Sequence, residues 1–122
     1  MLLADTSVWV DHLRNGDEEL AKRLRANEVL IHPFIIGELA LGQLRNREAV
    51  LDALKGLDQV KTADHDEVMI FIELQGLYGL GVGYVDAHLL AGTKLTSGAM
   101  LWTRDRRLRQ AAARLEIAAG IG

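Results

Sequence analysis

Short apolar runs of strand length alternate with segments of helical periodicity along the chain, and this alternation limits the fold more than any other feature. Runs such as "LLA" and "AMLW" are apolar at every position. Strands that are buried on both faces and separated by helices are typical of a parallel sheet covered by helices. The sequence therefore predicts an α/β fold. The predicted strands are Leu2–Ala4, Glu28–His32, Gln59–Thr62, Ala99–Trp102 and Glu116–Ala119. The predicted helices are Ser7–Arg14, Asp17–Ala26, Phe34–Leu44, Arg47–Leu57, Asp66–Tyr78, Val85–Leu95 and Arg106–Leu115.

Several predicted helices begin at residues that commonly cap a helix. Ser7, Asp17, Asn46 and Asp64 all carry short polar side chains that can accept a hydrogen bond from the first turn. The single proline, Pro33, lies between the second strand and the following helix, where it can end one element and start the next. These signals support the predicted boundaries.

Length and composition predict one domain over residues 1–122, since this length suffices for a core without disulfides. The chain has no cysteine, which is compatible with a reducing cytosol and excludes a cysteine nucleophile or a cysteine zinc site. Asp5 interrupts the first apolar run, so no signal peptide is visible, and no apolar stretch is long enough to span a membrane. We therefore expect a cytoplasmic protein that does not associate with membranes.

An arginine-rich segment, "TRDRRLRQAAAR", stands out because the net charge of the whole chain is only −3. A local basic patch can bind phosphates even on an acidic protein. A solvated helix face is the alternative explanation for such a run. The arginines that we consider as candidates for contact with a nucleic-acid backbone are Arg104, Arg106, Arg107 and Arg109.

The segment "VMIFIELQGL" is apolar around most of a predicted helix, whereas a one-sided stripe would suffice for a surface helix. Two explanations are open: neighbouring elements of the same chain bury this helix, or it forms an interface with another chain.

Acidic and hydroxyl side chains follow two of the predicted strands. "DTS" (Asp5–Ser7) comes directly after the first strand, and "TRD" (Thr103–Asp105) follows the fourth. In open α/β sheets, ligands bind beyond the carboxyl ends of the strands. These two strands therefore bring a carboxylate and a hydroxyl to the same edge of the sheet.

Two further acids are unusual in their context. Glu38 is the only charge within the apolar stretch "HPFIIGELALGQL", and ionised glutamate is rarely buried unless it is paired or ligated. Asp86 lies in the first turn of another apolar helix, where a helix dipole also favours a negative charge. Singly, Asp5 and Asp105 could be helix caps and Glu38 could face solvent. Together, the four acids can reach one edge of one sheet.

Four carboxylates in one pocket need compensation. Two like charges about 4 Å apart repel by about 4 kcal/mol at an effective dielectric constant near 20. Either some of the carboxyl groups are protonated or a cation binds, and carboxylate oxygens suit Mg²⁺ or Mn²⁺. Such ions support phosphoryl chemistry. Thr6, Ser7 and Thr103 could hold the rotamers of these carboxylates or orient water.

Other acidic sites fit less well. A phosphatase with an aspartyl nucleophile after the first strand usually needs a second Asp two residues on, where this chain has Ser7. A phosphorylated receiver-like domain needs a lysine after the last strand, and "EIAAGIG" contains none. A module that binds a cation or a partner's arginine without catalysis remains the open alternative.

Four segments, in order and with suitable intervals, resemble the motifs of PIN-domain proteins, specifically the VapC-type toxin ribonucleases. "LLADTSVWVDHL" resembles the opening motif, "HPFIIGELALG" the helix that bears a glutamate, "GVGYVDAHLLAG" the segment with the third acid, and "LWTRDRRL" the closing Thr-x-Asp motif. The resemblance covers essentially the whole chain. One departure is Leu108, where an aromatic residue is common.

This resemblance implies a five-stranded parallel sheet in the order 3-2-1-4-5, with the first and fourth strands adjacent. It implies a Mg²⁺- or Mn²⁺-dependent endoribonuclease whose acidic pocket and metal ligands are Asp5, Glu38, Asp86 and Asp105, and a product with a 5′-phosphate. It also implies a substrate among structured RNAs such as tRNA or ribosomal RNA. The implied partners are a second copy of the chain and a VapB-like protein antitoxin, and no direct DNA binding is expected without that antitoxin.

Overall fold

The sheet of this protein is short-stranded and parallel throughout. A computed structural model describes all residues, 1–122. The strands are β1 (Leu2–Ala4), β2 (Val29–Ile31), β3 (Asp58–Gln59) and β4 (Met100–Trp102). Their order is β3-β2-β1-β4, and each neighbouring pair is parallel. The predicted α/β fold and the predicted adjacency of the first and fourth strands are confirmed.

All seven predicted helices are present, with ends shifted by a few residues. None of them has both the length and the apolar character that crossing a bilayer requires. Their bounds are α1 (Thr6–Asn15), α2 (Glu18–Arg25), α3 (Pro33–Ala40), α4 (Arg47–Lys55), α5 (His65–Gln75), α6 (Tyr84–Leu95) and α7 (Arg106–Arg114).

The prediction of a fifth strand over Glu116–Ala119 is wrong. Only one residue of this segment, Ala118, forms a bridge, and its partner is Leu101 of β4. Glu116 adopts a left-handed backbone conformation with φ of 62°, so the extended part of the chain begins only at Ile117. The segment therefore covers the β4 edge through two hydrogen bonds, from the amide of Leu101 to the carbonyl of Ile117 (2.7 Å) and from the amide of Ala119 to the carbonyl of Leu101 (2.9 Å).

The third strand is shorter and begins earlier than the predicted Gln59–Thr62. After β3, the amide of Val60 still donates to the carbonyl of Ile31 at 3.0 Å. The next amide, that of Lys61, instead donates to Thr96 Oγ1 after the end of α6, at 2.9 Å. The chain therefore leaves the sheet because the α6 side offers a competing acceptor.

The main core contains 24 buried apolar residues and includes all three residues of β1 and all three of β2. Such burial on both sides explains why these strands are apolar at every position. The register pairs Ala4 with Trp102, so the chain leaves β1 and β4 at the same level of the sheet. The residues that follow these strands are thereby brought side by side.

The helix caps differ in part from the predicted ones. Asp17 and Asp64 cap α2 and α5 as predicted, and Asp64 forms a reciprocal capping box with Glu67. Ser7 is not the cap of α1, because this helix begins at Thr6 and Asp5 accepts the hydrogen bond from the first turn. Asn46 precedes α4, but its side chain makes no capping hydrogen bond.

Candidate active site

Asp5 is the most deeply buried and most extensively hydrogen-bonded acid at the carboxyl edge of the sheet. Only 5% of its surface is exposed, and its amide donates to the carbonyl of Trp102 at 2.9 Å. Its Oδ1 accepts hydrogen bonds from Ser7 Oγ (2.5 Å) and from the amide of Val8 (3.3 Å). Its Oδ2 accepts from Thr103 Oγ1 at 2.5 Å. Burial raises the pKa of Asp5, and these hydrogen bonds to the carboxylate act in the opposite direction.

The hydroxyl groups at this edge link β1 to β4. Thr103 Oγ1, which donates to Asp5, accepts from the amide of Asp105 at 3.0 Å. Ser7 Oγ, which also donates to Asp5, accepts from the amide of Arg104 at 3.0 Å. Each hydroxyl thus uses its donor and its acceptor at once, which fixes the carboxylate of Asp5 in one orientation.

The other acids come from two helices and from the residue that precedes α7. Glu38 of α3 is exposed, and its Oε1 accepts from Thr6 Oγ1 at 2.6 Å. Asp105 is also exposed and caps α7, with its Oδ1 accepting from the amide of Leu108 at 3.0 Å. Asp86, in the first turn of α6, is half-buried. The predicted site residues are therefore delivered by β1, α3, α6 and the end of β4.

Asp86 lies within electrostatic reach of the other three acids. Burial, followed by the negative charges of Asp5, Asp105 and Glu38, raises the pKa of Asp86 to about 6. No three acidic or histidine side chains converge closely enough in this arrangement to hold one ion. The pocket is therefore a cluster of mutually repelling carboxylates that remain separate, and a cation would relieve this repulsion.

The comparisons with known proteins agree with this fold. Residues 2–114 match the model of the PIN domain. The chain belongs to the PIN-domain family. This confirms the family predicted from the four sequence motifs.

Two curated relatives of this PIN domain carry the name Ribonuclease VapC32, from Mycobacterium tuberculosis strains CDC 1551 / Oshkosh and ATCC 25618 / H37Rv. Each is 47% identical over 118 residues, which make up 97% of this chain and 95% of the relative. Among solved structures, the crystal structure of PAE2754 from Pyrobaculum aerophilum has a TM-score of 0.58 at 20% identity. The match covers 90% of this chain and 78% of that one. This structural likeness supports the PIN-type fold.

Two arginines of the predicted RNA-contact set bind other parts of the PIN domain itself. Arg104 donates to Asp11 of α1 at 2.6 Å and to Asp17, the cap of α2, and it stacks on Trp102. Arg109 donates to the carbonyl of Thr103 at 3.0 Å. Arg106 and Arg107 make no hydrogen bond to the protein, although the Arg107 side chain lies against Gly81.

Sequence reasoning missed the role of Asp11 and Asp17 as partners of Arg104. The sequence assigned no role to Asp11 and predicted Asp17 only as a helix cap. The ion pairs join residues 93 and 87 positions apart in the chain, so no local pattern indicates them. The only available signal was the position of Arg104 next to two residues of the closing motif.

Sequence reasoning also missed an aromatic cluster behind the acids. His32, which caps α3 through Nδ1, and His88 of α6 are both buried. Phe34 and Tyr84 pack against the ring of His88 in tilted and edge-to-face arrangements, at centroid distances of 4.7 and 4.6 Å. Burial lowers the pKa of His32 to about 4, so this ring is neutral near pH 7. The cluster joins the beginnings of α3 and α6, the helices that carry Glu38 and Asp86.

Proposed function

We propose that residues 1–122 form a single nuclease domain that cleaves RNA internally with the help of a divalent cation, as a VapC-type toxin. The observation that carries this proposal is that the charges of Asp5, Asp105 and Glu38 all act on the carboxyl group of Asp86, although the four side chains remain separate. The family membership and the ribonuclease name of the relatives with 47% identity support it.

The chemistry of the donor set fits Mg²⁺ or Mn²⁺, because carboxylate oxygens are the preferred ligands of both ions. Asp5 and Asp86 are the principal proposed ligands, and Glu38 and Asp105 complete the acidic pocket. When bound, the cation would supply Lewis acidity toward the phosphate and the attacking water. The ion would also offset the repulsion between these acids and the RNA phosphates.

The residues around the acids have a positioning role in this proposal. Ser7 and Thr103 hold the carboxylate of Asp5, and Thr6 holds that of Glu38. Fixing the ligands in advance lowers the cost of arranging the reacting groups. Arg106 and Arg107, whose guanidinium groups make no hydrogen bond to the protein, remain proposed RNA contacts. For Arg104 and Arg109, the contacts within the protein favour a structural role instead.

We further propose that the protein acts in the cytoplasm on structured RNA, tRNA or ribosomal RNA, and that a VapB-like antitoxin neutralises it. It would also form a homodimer. Apolar side chains on the outer surface of α5 support this last point, since Ile70 and Leu74 are 59% and 77% exposed.

The test is cleavage of total RNA by the purified, antitoxin-free protein with MgCl₂ or MnCl₂, with and without EDTA. We expect EDTA to abolish cleavage. Asp5→Asn should reduce the rate by more than the roughly 10- to 100-fold typical of losing an outer-shell contact. Asp52→Asn, which alters an exposed aspartate of α4 with no hydrogen-bond partner, is the matched control.

Cleavage that persists in EDTA would contradict the cation mechanism, as would full activity of Asp5→Asn. A protein that binds Mn²⁺ but cuts no RNA would instead indicate a non-catalytic binding module.

A further inference from the structure

A groove opens beside the acidic pocket and shares two residues, Thr6 and Glu38, with it. It lies between α1, α3 and the turn that follows α3, and its volume is about 270 Å³. This is close to the lower limit of about 300 Å³ for small-molecule pockets. The groove suits a segment of a chain that crosses it better than an enclosed ligand. Its remaining lining residues are Val10, Leu13, Arg14, Leu39, Gly42, Gln43, Leu44 and Arg45.

Two arginines of this groove, Arg14 and Arg45, have no partner in the protein. Both are exposed, and neither takes part in an ion pair or a side-chain hydrogen bond. Two of the arginines near Asp105 differ, because Arg104 is paired with two aspartates and Arg109 donates to a carbonyl group, whereas Arg106 and Arg107 are also unpaired. Unpaired positive charge therefore also lies on the α1–α3 side of the acids. The sequence pattern does not indicate this position.

The apolar part of the lining complements these charges. Val10, Leu13 and Leu39 belong to α1 and α3, and Leu44 follows α3. Single-stranded nucleic acids are typically bound by a positively charged groove that follows the backbone, together with aromatic side chains on which bases stack. The apolar side chains of this groove are aliphatic, so they offer sugars and bases van der Waals contact without stacking. An arginine fork matches the oxygens of a phosphate in two hydrogen bonds.

We propose that this groove binds the RNA strand next to the point of cleavage, with Arg14 and Arg45 contacting its phosphates. The inference rests on the proposed function and adds a substrate-binding surface to it. A strand whose phosphodiester reaches the four acids must continue on either side of them. The groove begins at two residues of that centre, Thr6 and Glu38. The two unpaired arginines complement a polyanion, so the charge of the groove favours RNA over a protein partner.

The experiment is equilibrium binding of a fluorophore-labelled 20-nucleotide RNA of mixed sequence, measured by anisotropy at several KCl concentrations in EDTA. Arg14→Ala and Arg45→Ala should each weaken binding by about tenfold, as expected for a lost charge-assisted contact. Each should also make the slope of log K against log salt shallower by about 0.7, the value for one phosphate contact on a single strand. Arg14→Lys and Arg45→Lys should retain most of the slope, because they retain the charge.

Arg25→Ala is the matched control, since Arg25 is an exposed arginine of α2 without an ion pair that lies outside the groove. Arg106→Ala and Arg107→Ala test the competing surface. Unchanged affinity and unchanged salt slope in both groove variants would overturn the proposal. If the Arg14→Ala/Arg45→Ala variant then also failed to copurify with the coexpressed antitoxin, the groove would belong to the protein partner.

The outcome is separable from the test of the proposed function, because binding in EDTA requires no cleavage. A wild-type protein that binds the RNA but never cuts it would contradict the nuclease proposal and leave the groove assignment intact. Circular dichroism and the melting temperature identify a variant that fails to fold, and in that case Arg14→Gln and Arg45→Gln, which remove the charge but keep a long polar side chain, decide the result.

Discussion

Among the four acids, Asp86 has the least compensation for its charge. Asp5 accepts hydrogen bonds from two hydroxyl groups and one amide, whereas Glu38 is exposed and accepts one from Thr6. Asp86 is half-buried, and the charges of the other three acids add to the cost of its ionisation. Its protonation state is therefore the most sensitive of the four to a bound cation.

The stability of the cation-free protein should fall as the pH rises through about 6, as far as Asp86 is concerned. The pKa of Asp86 is raised from 3.8 to about 6, so between these values the folded state binds a proton that the unfolded state has released. This contribution is complete below the lower value and is lost above about 6. A divalent cation requires the ionised form, so its stabilising effect should grow over the same range.

Thermal unfolding at pH 5 and pH 7.5, with and without 10 mM MgCl₂ or MnCl₂, checks this prediction. We expect the cation to raise the melting temperature more at pH 7.5 than at pH 5, and Asp86→Asn to remove most of the difference. An equal effect of the cation at both pH values would show that Asp86 does not control its binding.

Arg104 illustrates what a residue-level pattern cannot reveal. Its place in an arginine-rich run predicts RNA contact, yet its guanidinium joins α1 to the cap of α2 and its amide supports Ser7. The same residue type serves both functions, and only the positions of Asp11 and Asp17 in space favour the structural one. By contrast, the hydroxyl groups after β1 and β4 could be predicted, because two adjacent parallel strands deliver them to one edge.

Replacing Arg104 should therefore change turnover more than RNA affinity. Arg104→Lys keeps the charge but cannot bridge two carboxylates as a planar fork does. A shift of the Ser7–Asp5 pair by about 1 Å can reduce the rate by roughly 100-fold. We expect kcat to fall in Arg104→Lys and Arg104→Ala while KM and its salt dependence change little. A raised KM with unchanged kcat would instead identify Arg104 as an RNA contact.

At the scale of elements, the helices and the central strands could be predicted because each depends on local periodicity and on burial. The edges could not. β3 is set by competition between the carbonyl of Ile31 and the hydroxyl of Thr96, and the expected fifth strand is reduced to one bridge by the left-handed Glu116. Both outcomes depend on contacts between distant segments. A local pattern such as "EIAA" carries no information about these contacts.

The helix α6 connects the site to the rest of the fold, and Gly92 permits its close approach to the chain after β3. A Cβ atom at this position would lie 2.9 Å from the carbonyl oxygen of Lys61, which is backbone and cannot easily move. Gly37 of α3 is also within a helix, but a Cβ atom there would meet nothing within 4 Å. The two glycines thus have different reasons to be present.

Alanine at these two positions should have opposite effects on stability. Either substitution gains about 1 kcal/mol of helix propensity, but in Gly92→Ala an overpacking cost of about 1–3 kcal/mol opposes this gain. We expect Gly37→Ala to raise the melting temperature by a few degrees and Gly92→Ala to lower it. Gly92→Ala should also slow RNA cleavage, because α6 carries Asp86. Similar stabilisation by both substitutions would refute the close-packing argument.

At the scale of the whole molecule, the acids and the exposed apolar surface occupy different parts of the same helix, α6. Its first turn carries Asp86, whereas Ala91, Lys94 and Leu95 near its end line a groove with Ile70 and Leu74 of α5. The sequence left open whether the chain buries α5 itself. The exposure of Ile70 and Leu74 along this groove favours an interface with another chain, since exposed apolar side chains grouped on one surface often mark an interaction site.

In a two-fold homodimer, this surface of one copy would contact the same surface of the other copy. The residues around the groove must therefore be complementary to themselves. Glu67 and Lys94 both border the groove and offer opposite charges for such a contact. Ile70→Glu and Leu74→Glu should convert a dimer into a monomer in size-exclusion chromatography with light scattering, because each would bury an unpaired charge. Leu41→Glu is the matched control, since Leu41 is 90% exposed but follows α3.

All four acids belong to one chain, so the monomeric variants should still cleave RNA. A dimer that survives both charge substitutions would assign the apolar face of α5 to another partner.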